Sequence, residues 1–167
     1  SPGPGHIDEA ERALKELGIS SNFIVLHTEV PKTGRQRQWP LEYAAALGKL
    51  ILDTRSAQIV IISSSKAQRE AFQLNALLGY KAQVISGAEI MTIYCILKKA
   101  KCTVTNNTGF MHLAASACPC VFALLGPTSA IKWGPWGKQH KAIQAKVSCS
   151  PCLYLGFEYG CPTNTCM

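Results

Sequence analysis

Apolar residues come in short runs at 23–26, 58–62, 82–85, 102–105 and 120–125, and none shows the strict alternation of a half-exposed sheet. Runs of that length predict strands buried on both faces, as in a parallel sheet. Between them lie helical patterns at 41–52, 66–78 and 89–99; the last carries Ile90, Ile93, Tyr94 and Leu97 at i, i+3, i+4, i+7 spacing. An amphipathic stretch at 8–17 precedes the first run and stops at Gly18, a suitable helix C-cap. Strand and helix alternate, and parallel neighbours need long right-handed crossovers. The predicted fold class is therefore α/β, a Rossmann-like doubly wound parallel sheet with helices on both faces. We divide the chain into a lead-in segment with a helix (1–20), the Rossmann-like domain (21–148) and a cysteine-rich C-terminal segment of the same domain (149–167).

In a doubly wound sheet the carboxyl ends of the strands share one edge, and ligands bind in the crevice there. The loops that matter are then 27–38, 63–68, 86–89, 105–109 and 126–133.

The 167 residues are 47% hydrophobic and 16% charged, enough apolar material for one core and too much for a disordered chain. The longest apolar stretches, at 50–52, 59–62 and 121–125, fall far short of the roughly 18 to 20 residues that span a bilayer. Residues 1–5 have neither the basic start nor the apolar run of a signal peptide, and a chain opening on Ser1 predicts a piece of something longer. The net charge of +7 favours an anionic partner: a phosphate, an acidic glycan, an anionic membrane surface or nucleic acid. The basic residues fall in small groups without aromatic-rich RNA-binding signatures, so no nucleic-acid partner is expected.

The strongest local signal is the stretch from Thr105 to Ala115, where a strand stops at a polar turn and becomes a helix. Asn107 or Thr108 can cap that helix with a side-chain oxygen, and Gly109 lets a ligand approach the backbone. Free N–H groups and the positive end of the helix dipole would then hold a phosphate or diphosphate; an ordinary capped helix is the alternative. His112, one turn in, reads either as a structural or as a ligand-binding histidine. Gly126-Pro127-Thr128-Ser129 forms a second phosphate-friendly loop, with Trp133 and Trp136 following as an apolar wall for a base or sugar. Thr28, Lys32, Arg35 and Arg37 follow the first strand, and the cations among them could neutralise a diphosphate.

Eight cysteines divide into two kinds. Cys95, Cys102, Cys118 and Cys120 lie in apolar segments and read as packing residues. Cys149, Cys152, Cys161 and Cys166 crowd the C-terminus with gaps of two, eight and four residues. Three readings stay open for them: plain or redox-labile thiols, a zinc site, or two disulfides.

Taken in order, Arg37-x-Trp39-Pro40-Leu41-Glu42, the run from Asn106 to Ala114, Leu125-Gly126-Pro127-Thr128, and Cys149-Ser150-Pro151-Cys152 with Cys161-Pro162 and Cys166-Met167 resemble the C-terminal half of family 9 glycosyltransferases. That family includes the ADP-heptose:lipopolysaccharide heptosyltransferases. The resemblance implies a GT-B enzyme, two Rossmann-like domains facing across a cleft, of which this chain is the donor-binding one. It implies an inverting transfer of a heptose-like sugar from an ADP-sugar to the lipopolysaccharide inner core. The aspartate general base would sit in an N-terminal domain outside this sequence, so that the piece alone is inactive. No cofactor is required, zinc remaining open at the cysteines. The enzyme would work in the cytoplasm, with peripheral contact at the inner membrane.

By the same resemblance Thr28 belongs to the donor loop and Arg37 stands where a lysine approaches the diphosphate. Gln68 takes the place of a glutamate contacting the nucleoside, and Met91 that of an apolar residue beside the base. Asn107, Thr108, Gly109 and His112 match the motif around phosphates and sugar, with Gly126 and Thr128 nearby. The chain departs from the pattern at Asn107 and Gln68, amides where acids are usual, and at Thr28-Glu29, where Pro-Gly is common. An amide holds no negative charge, yet it still hydrogen-bonds a diphosphate. The alternative reading is a decayed homologue that binds a nucleotide, an anion or a metal without transfer.

Overall fold

The structure is a computed structural model that describes residues 1–54, 57–153, 161 and 163–167. The stretch 154–160 and Pro162, within the cysteine-rich segment, lie outside the described residues. Among the described residues, six strands form one parallel sheet: β1 (Phe23–His27), β2 (Gln58–Ser63), β3 (Gln83–Ser86), β4 (Cys102–Asn106), β5 (Val121–Leu124) and β6 (Lys141–Ile143). Their spatial order is β3-β2-β1-β4-β5-β6, so the chain winds outward from β1 in one direction and then returns to start again beside it at β4. That reversal opens a crevice between β1 and β4 at the strands' carboxyl ends.

The missing alternation in the strand sequences has a direct cause. Phe23 and Val25 of β1 enter one core cluster with Val60 and Ile62 of β2, while Ile24 and Leu26 enter the other with Ile59 and Ile61. Each face is covered by helices, so both sets of side chains are apolar. Helices α1 (Pro4–Glu16), α4 (Ile90–Lys99) and α5 (Gly109–Ala117) flank the first cluster; α2 (Leu41–Asp53) and α3 (Gln68–Leu77) flank the second. Met111 of α5 and Leu74 of α3 are fully buried, each stabilising its face by about 1.5–3 kcal/mol. At Gly48 of α2 any Cβ would strike Leu78, and this lets α2 settle closely against the end of α3.

Helix α1 starts earlier than its apolar pattern implied. Pro4 occupies the first turn, where its lack of an N–H costs nothing, and His6 Nδ1 accepts the N–H of Gly3 at 3.1 Å. Its end is as expected: Gly18, at φ +65°, donates to Lys15 O while Ile19 donates to Leu14 O. The expected helix 66–78 begins instead as a 3-10 turn, Ser65–Ala67, that gives way to α3. Strand β6 was not anticipated, because its three residues are all exposed and include a lysine. No helix among the described residues is long and apolar enough to cross a membrane.

Candidate functional site

A cavity of about 510 Å3 lies at the carboxyl ends of β1 to β4, walled by Glu29, Ser64, Ile90, Ile93 and the start of α5. A second, of about 590 Å3, shares its Glu29–Pro31 wall and carries Lys32, Arg35, Lys66 and Arg69. None of these four cations forms an ion pair among the described residues.

The turn from β4 into α5 supplies the first cavity's polar end. Thr108 is the N-cap, with extended backbone at φ −144° and ψ 177°, and its side chain makes no capping bond. Its buried Oγ1 has no partner among the described residues. Asn107 does not cap either, because its Nδ2 donates to Thr128 Oγ1 at 2.6 Å. The expected side-chain cap is therefore absent, and no acceptor among the described residues occupies the amides of Gly109 and Phe110. A Cβ on Gly109 would meet nothing within 4 Å. The fold itself does not demand glycine there.

Arg37 reaches this turn from the loop after β1. It ends a 3-10 segment, Lys32–Arg37, and folds back over Gly34, where any Cβ would collide with the guanidinium. Its Nη1 donates to Asn107 O at 3.0 Å, and burial lowers its pKa from the ordinary arginine value. A cation thus stands beside the positive end of α5, an arrangement that repels itself until an anion arrives. Asn106 fixes the two loops against each other: its Oδ1 accepts from Trp39 N at 3.1 Å and its Nδ2 donates to Thr28 O at 2.7 Å. Glu29 ties the same loop to the β2 loop, accepting from Ser64 N and Ser64 Oγ. Glu70, on the wall of the second cavity, accepts from Gln38 Nε2 at 2.6 Å, and burial raises its carboxyl pKa against that bond.

The expected residues separate into three groups. Thr28, Arg37, Asn107, Thr108 and Gly109 converge at the crevice, with Thr108 and Gly109 on the cavity wall. Gln68, Met91 and His112 are not among the residues that line it: Gln68 is exposed at the start of α3, Met91 is half-buried, in sequence between the cavity residues Ile90 and Ile93, and His112 is exposed on α5. Gly126 and Thr128 lie behind it. The carbonyl of Gly126 accepts from Gln144 Nε2 and Ser150 Oγ, that of Pro127 from the amides of Cys152 and Leu153, and that of Thr128 from Gln144 Nε2. Gly126 takes φ +43°, and Met167 packs where its Cβ would be.

Two site residues were missed by sequence reading. His27, the last residue of β1, lines the cavity and stacks on Phe110, with centroids 3.8 Å apart and planes 3° from parallel. His27 closes an apolar strand, and Phe110 looks like an ordinary helix residue, so only their meeting across the sheet marks them.

Cys95 and Cys118 are buried and Cys102 and Cys120 half-buried, in keeping with packing; burial and the neighbouring thiols push Cys102 up to about 11. All four C-terminal cysteines are free thiols in this structure. Burial, followed by the other three thiols, raises Cys166, yet no group of three or more His, Cys, Asp or Glu among the described residues is placed to hold a metal ion.

The model of glycosyltransferase family 9 (heptosyltransferase) matches residues 6–161. Lipopolysaccharide heptosyltransferase 2 of Escherichia coli K12 is 29% identical over 101 residues, covering 58% of this chain and 29% of its own. The structure of the E. coli ADP-heptose lipopolysaccharide heptosyltransferase II superposes with a TM-score of 0.73 at 21% identity, over 90% of this chain and 46% of that one. A family 9 glycosyl transferase from Veillonella parvula superposes with a TM-score of 0.78 at 16% identity, over 86% and 41%. The chain spans less than half the length of each of these relatives.

Proposed function

This chain belongs to glycosyltransferase family 9, and from that premise we propose that it is the donor-binding half of a heptosyltransferase-like enzyme that uses an ADP-sugar. The observation that carries the reading is the polar end of the first cavity. There the amides of Gly109 and Phe110, to which no described residue offers an acceptor, and the nearby Arg37 guanidinium offer a fixed positive field to a diphosphate. Ile90 and Ile93 give the opposite wall the apolar character that suits a nucleoside base.

In the proposed reaction an acceptor hydroxyl of the lipopolysaccharide inner core attacks the anomeric carbon with inversion, and the bond to the diphosphate oxygen breaks. A base supplied by a second domain takes the hydroxyl proton. The start of α5 and Arg37 stabilise the negative charge that gathers on the departing diphosphate. Thr28 and Asn107 act by holding the two loops in place, while Gln68, Met91 and His112, outside the cavity's lining, contact the nucleoside and sugar only once donor is bound. Gly126 and Thr128 support the turn from behind. The chain by itself binds donor without turnover, and the whole enzyme works at the cytoplasmic side of the inner membrane without a required metal.

A second reading, binding without transfer in a decayed homologue, is favoured by one observation: the Asn107 amide is engaged by Thr128. Both readings require nucleotide at α5. Titrating the chain with ADP and following backbone amide resonances tests this directly; the expected result is a saturable shift at 107–112. Undisturbed signals there at millimolar ADP would overturn the proposal.

A further inference from the structure

We infer that His27 presents its Nε2 as an uncharged hydrogen-bond acceptor to a hydroxyl of the sugar nucleotide held in the first cavity. The inference rests on the donor-site reading above and adds to it a contact selective for a neutral donor group.

The ring's protonation follows from its neighbours. His27 and Thr105 are register partners on adjacent strands, and His27 Nδ1 lies 3.1 Å from Thr105 Oγ1. The Thr105 hydroxyl gives its own proton to Asn106 O at 3.1 Å, so it faces the imidazole with a lone pair. Nδ1 must then be the nitrogen that carries hydrogen, and a neutral imidazole protonated at Nδ1 has a bare lone pair on Nε2. No donor among the described residues reaches Nε2, although the ring is only 7% exposed and forms part of the cavity wall. Burial drives the ring's pKa down to about 4, and the opposing charge of Glu29 does not reverse this. Phe110, stacked on one face, fixes the ring plane.

A lone pair so placed discriminates. Ionised phosphate oxygens carry no proton and would be repelled by it, whereas a hydroxyl donates to it. Phe110 connects this acceptor to the diphosphate end, since its amide belongs to the open start of α5 and its ring covers His27. The hydroxyls nearest a diphosphate are those of the ribose on one side and of the transferred sugar on the other. The adenine amino group lies farther away.

Long-range proton–nitrogen spectra of the His27 ring test the inference, recorded on the chain alone, with ADP and with ADP-glucose. The expected free state is the Nδ1-protonated tautomer, and the Nε2 resonance should move on binding. A shift with ADP alone assigns a ribose hydroxyl; a shift only with ADP-glucose assigns a sugar hydroxyl. A proton on Nε2 in the free chain overturns the inference. So does an Nε2 signal that stays still at saturation with both nucleotides while the amides of 108–112 move. If those amides stay still as well, the donor-site reading fails and takes the inference with it. His27→Phe keeps a ring over Phe110 without the acceptor, and it should weaken the nucleotide that moves Nε2 by about tenfold. Unchanged affinity in a folded His27→Phe chain contradicts the inference, and the ring spectra of the unaltered chain decide the matter if that variant does not fold.

Discussion

Asn107 donates from Nδ2 to Thr128 Oγ1 at 2.6 Å, and Thr128 passes its own proton to Leu125 O at 2.7 Å. The order of donors and acceptors makes asparagine, and not aspartate, the residue that fits. In Asn107→Asp a carboxylate oxygen would face a lone pair, or Thr128 would turn and leave Leu125 O with only the Thr128 N–H of its two donors. Either way a buried group loses a partner, at about 1–3 kcal/mol. Urea unfolding should show this loss, and Asn107→Asp as stable as the parent would contradict the hydrogen-bond order.

Gly109→Ala should leave stability within about 1 kcal/mol of the parent, because a Cβ there meets nothing and the backbone is not left-handed. Its methyl would instead stand where a diphosphate approaches. Calorimetry should show ADP affinity lowered about tenfold or more at an unchanged melting temperature, and equal affinity would remove the diphosphate from this turn.

Gly34→Ala acts through Arg37, since the added carbon collides with the guanidinium, the movable end of a flexible side chain. The expected outcome is a folded chain whose ADP affinity falls as far as that of Arg37→Ala, about tenfold. Titrating both variants in parallel checks it; an effect of Arg37→Ala without one of Gly34→Ala would mean that the arginine acts from another position.

His27 also makes stability depend on pH. Its pKa is about 4 when folded against the ordinary histidine value of 6.5, so the unfolded chain binds more protons between these values. Stability is therefore full above about pH 6.5 and falls as the pH drops toward 4, by about 3 kcal/mol from this group. Comparing unfolding at pH 7.5 and 4.5 in the parent and in His27→Phe isolates the contribution; an equal loss in both would assign it to other groups.

Cysteine reactivity should follow hydrogen bonding. Cys161 is exposed, and the N–H groups of Asn164 and Thr163 lower its thiol pKa, whereas burial raises that of Cys166. Timed alkylation at pH 7.5 with mass spectrometry should find Cys161 modified well before Cys166. The reverse order would show that the segment is arranged differently.

The sheet was legible because parallel strands buried on both faces leave unbroken apolar runs, as at Ile59 to Ile62. The turn at Asn107 to Gly109 was legible because a polar stop before an apolar helix is a local pattern. Hydrogen-bond direction was not. Whether Asn107 caps α5 or reaches Thr128 depends on a residue 21 positions away, and His27 gains its character from Thr105 and Phe110, which only strand pairing brings near. Strand β6 escaped notice for the opposite reason, since an exposed edge needs no apolar side chains.

The carbonyls of Gly126, Pro127 and Thr128 are all bound by residues from Gln144 onward, and Thr128 in turn holds Asn107. The far end of the polypeptide is thereby a splint for the β5 loop, and through one amide it braces the mouth of α5 as well. Trimming or derivatising the tail would reach the ligand's anchorage from the rear, without touching a single wall of the cavity.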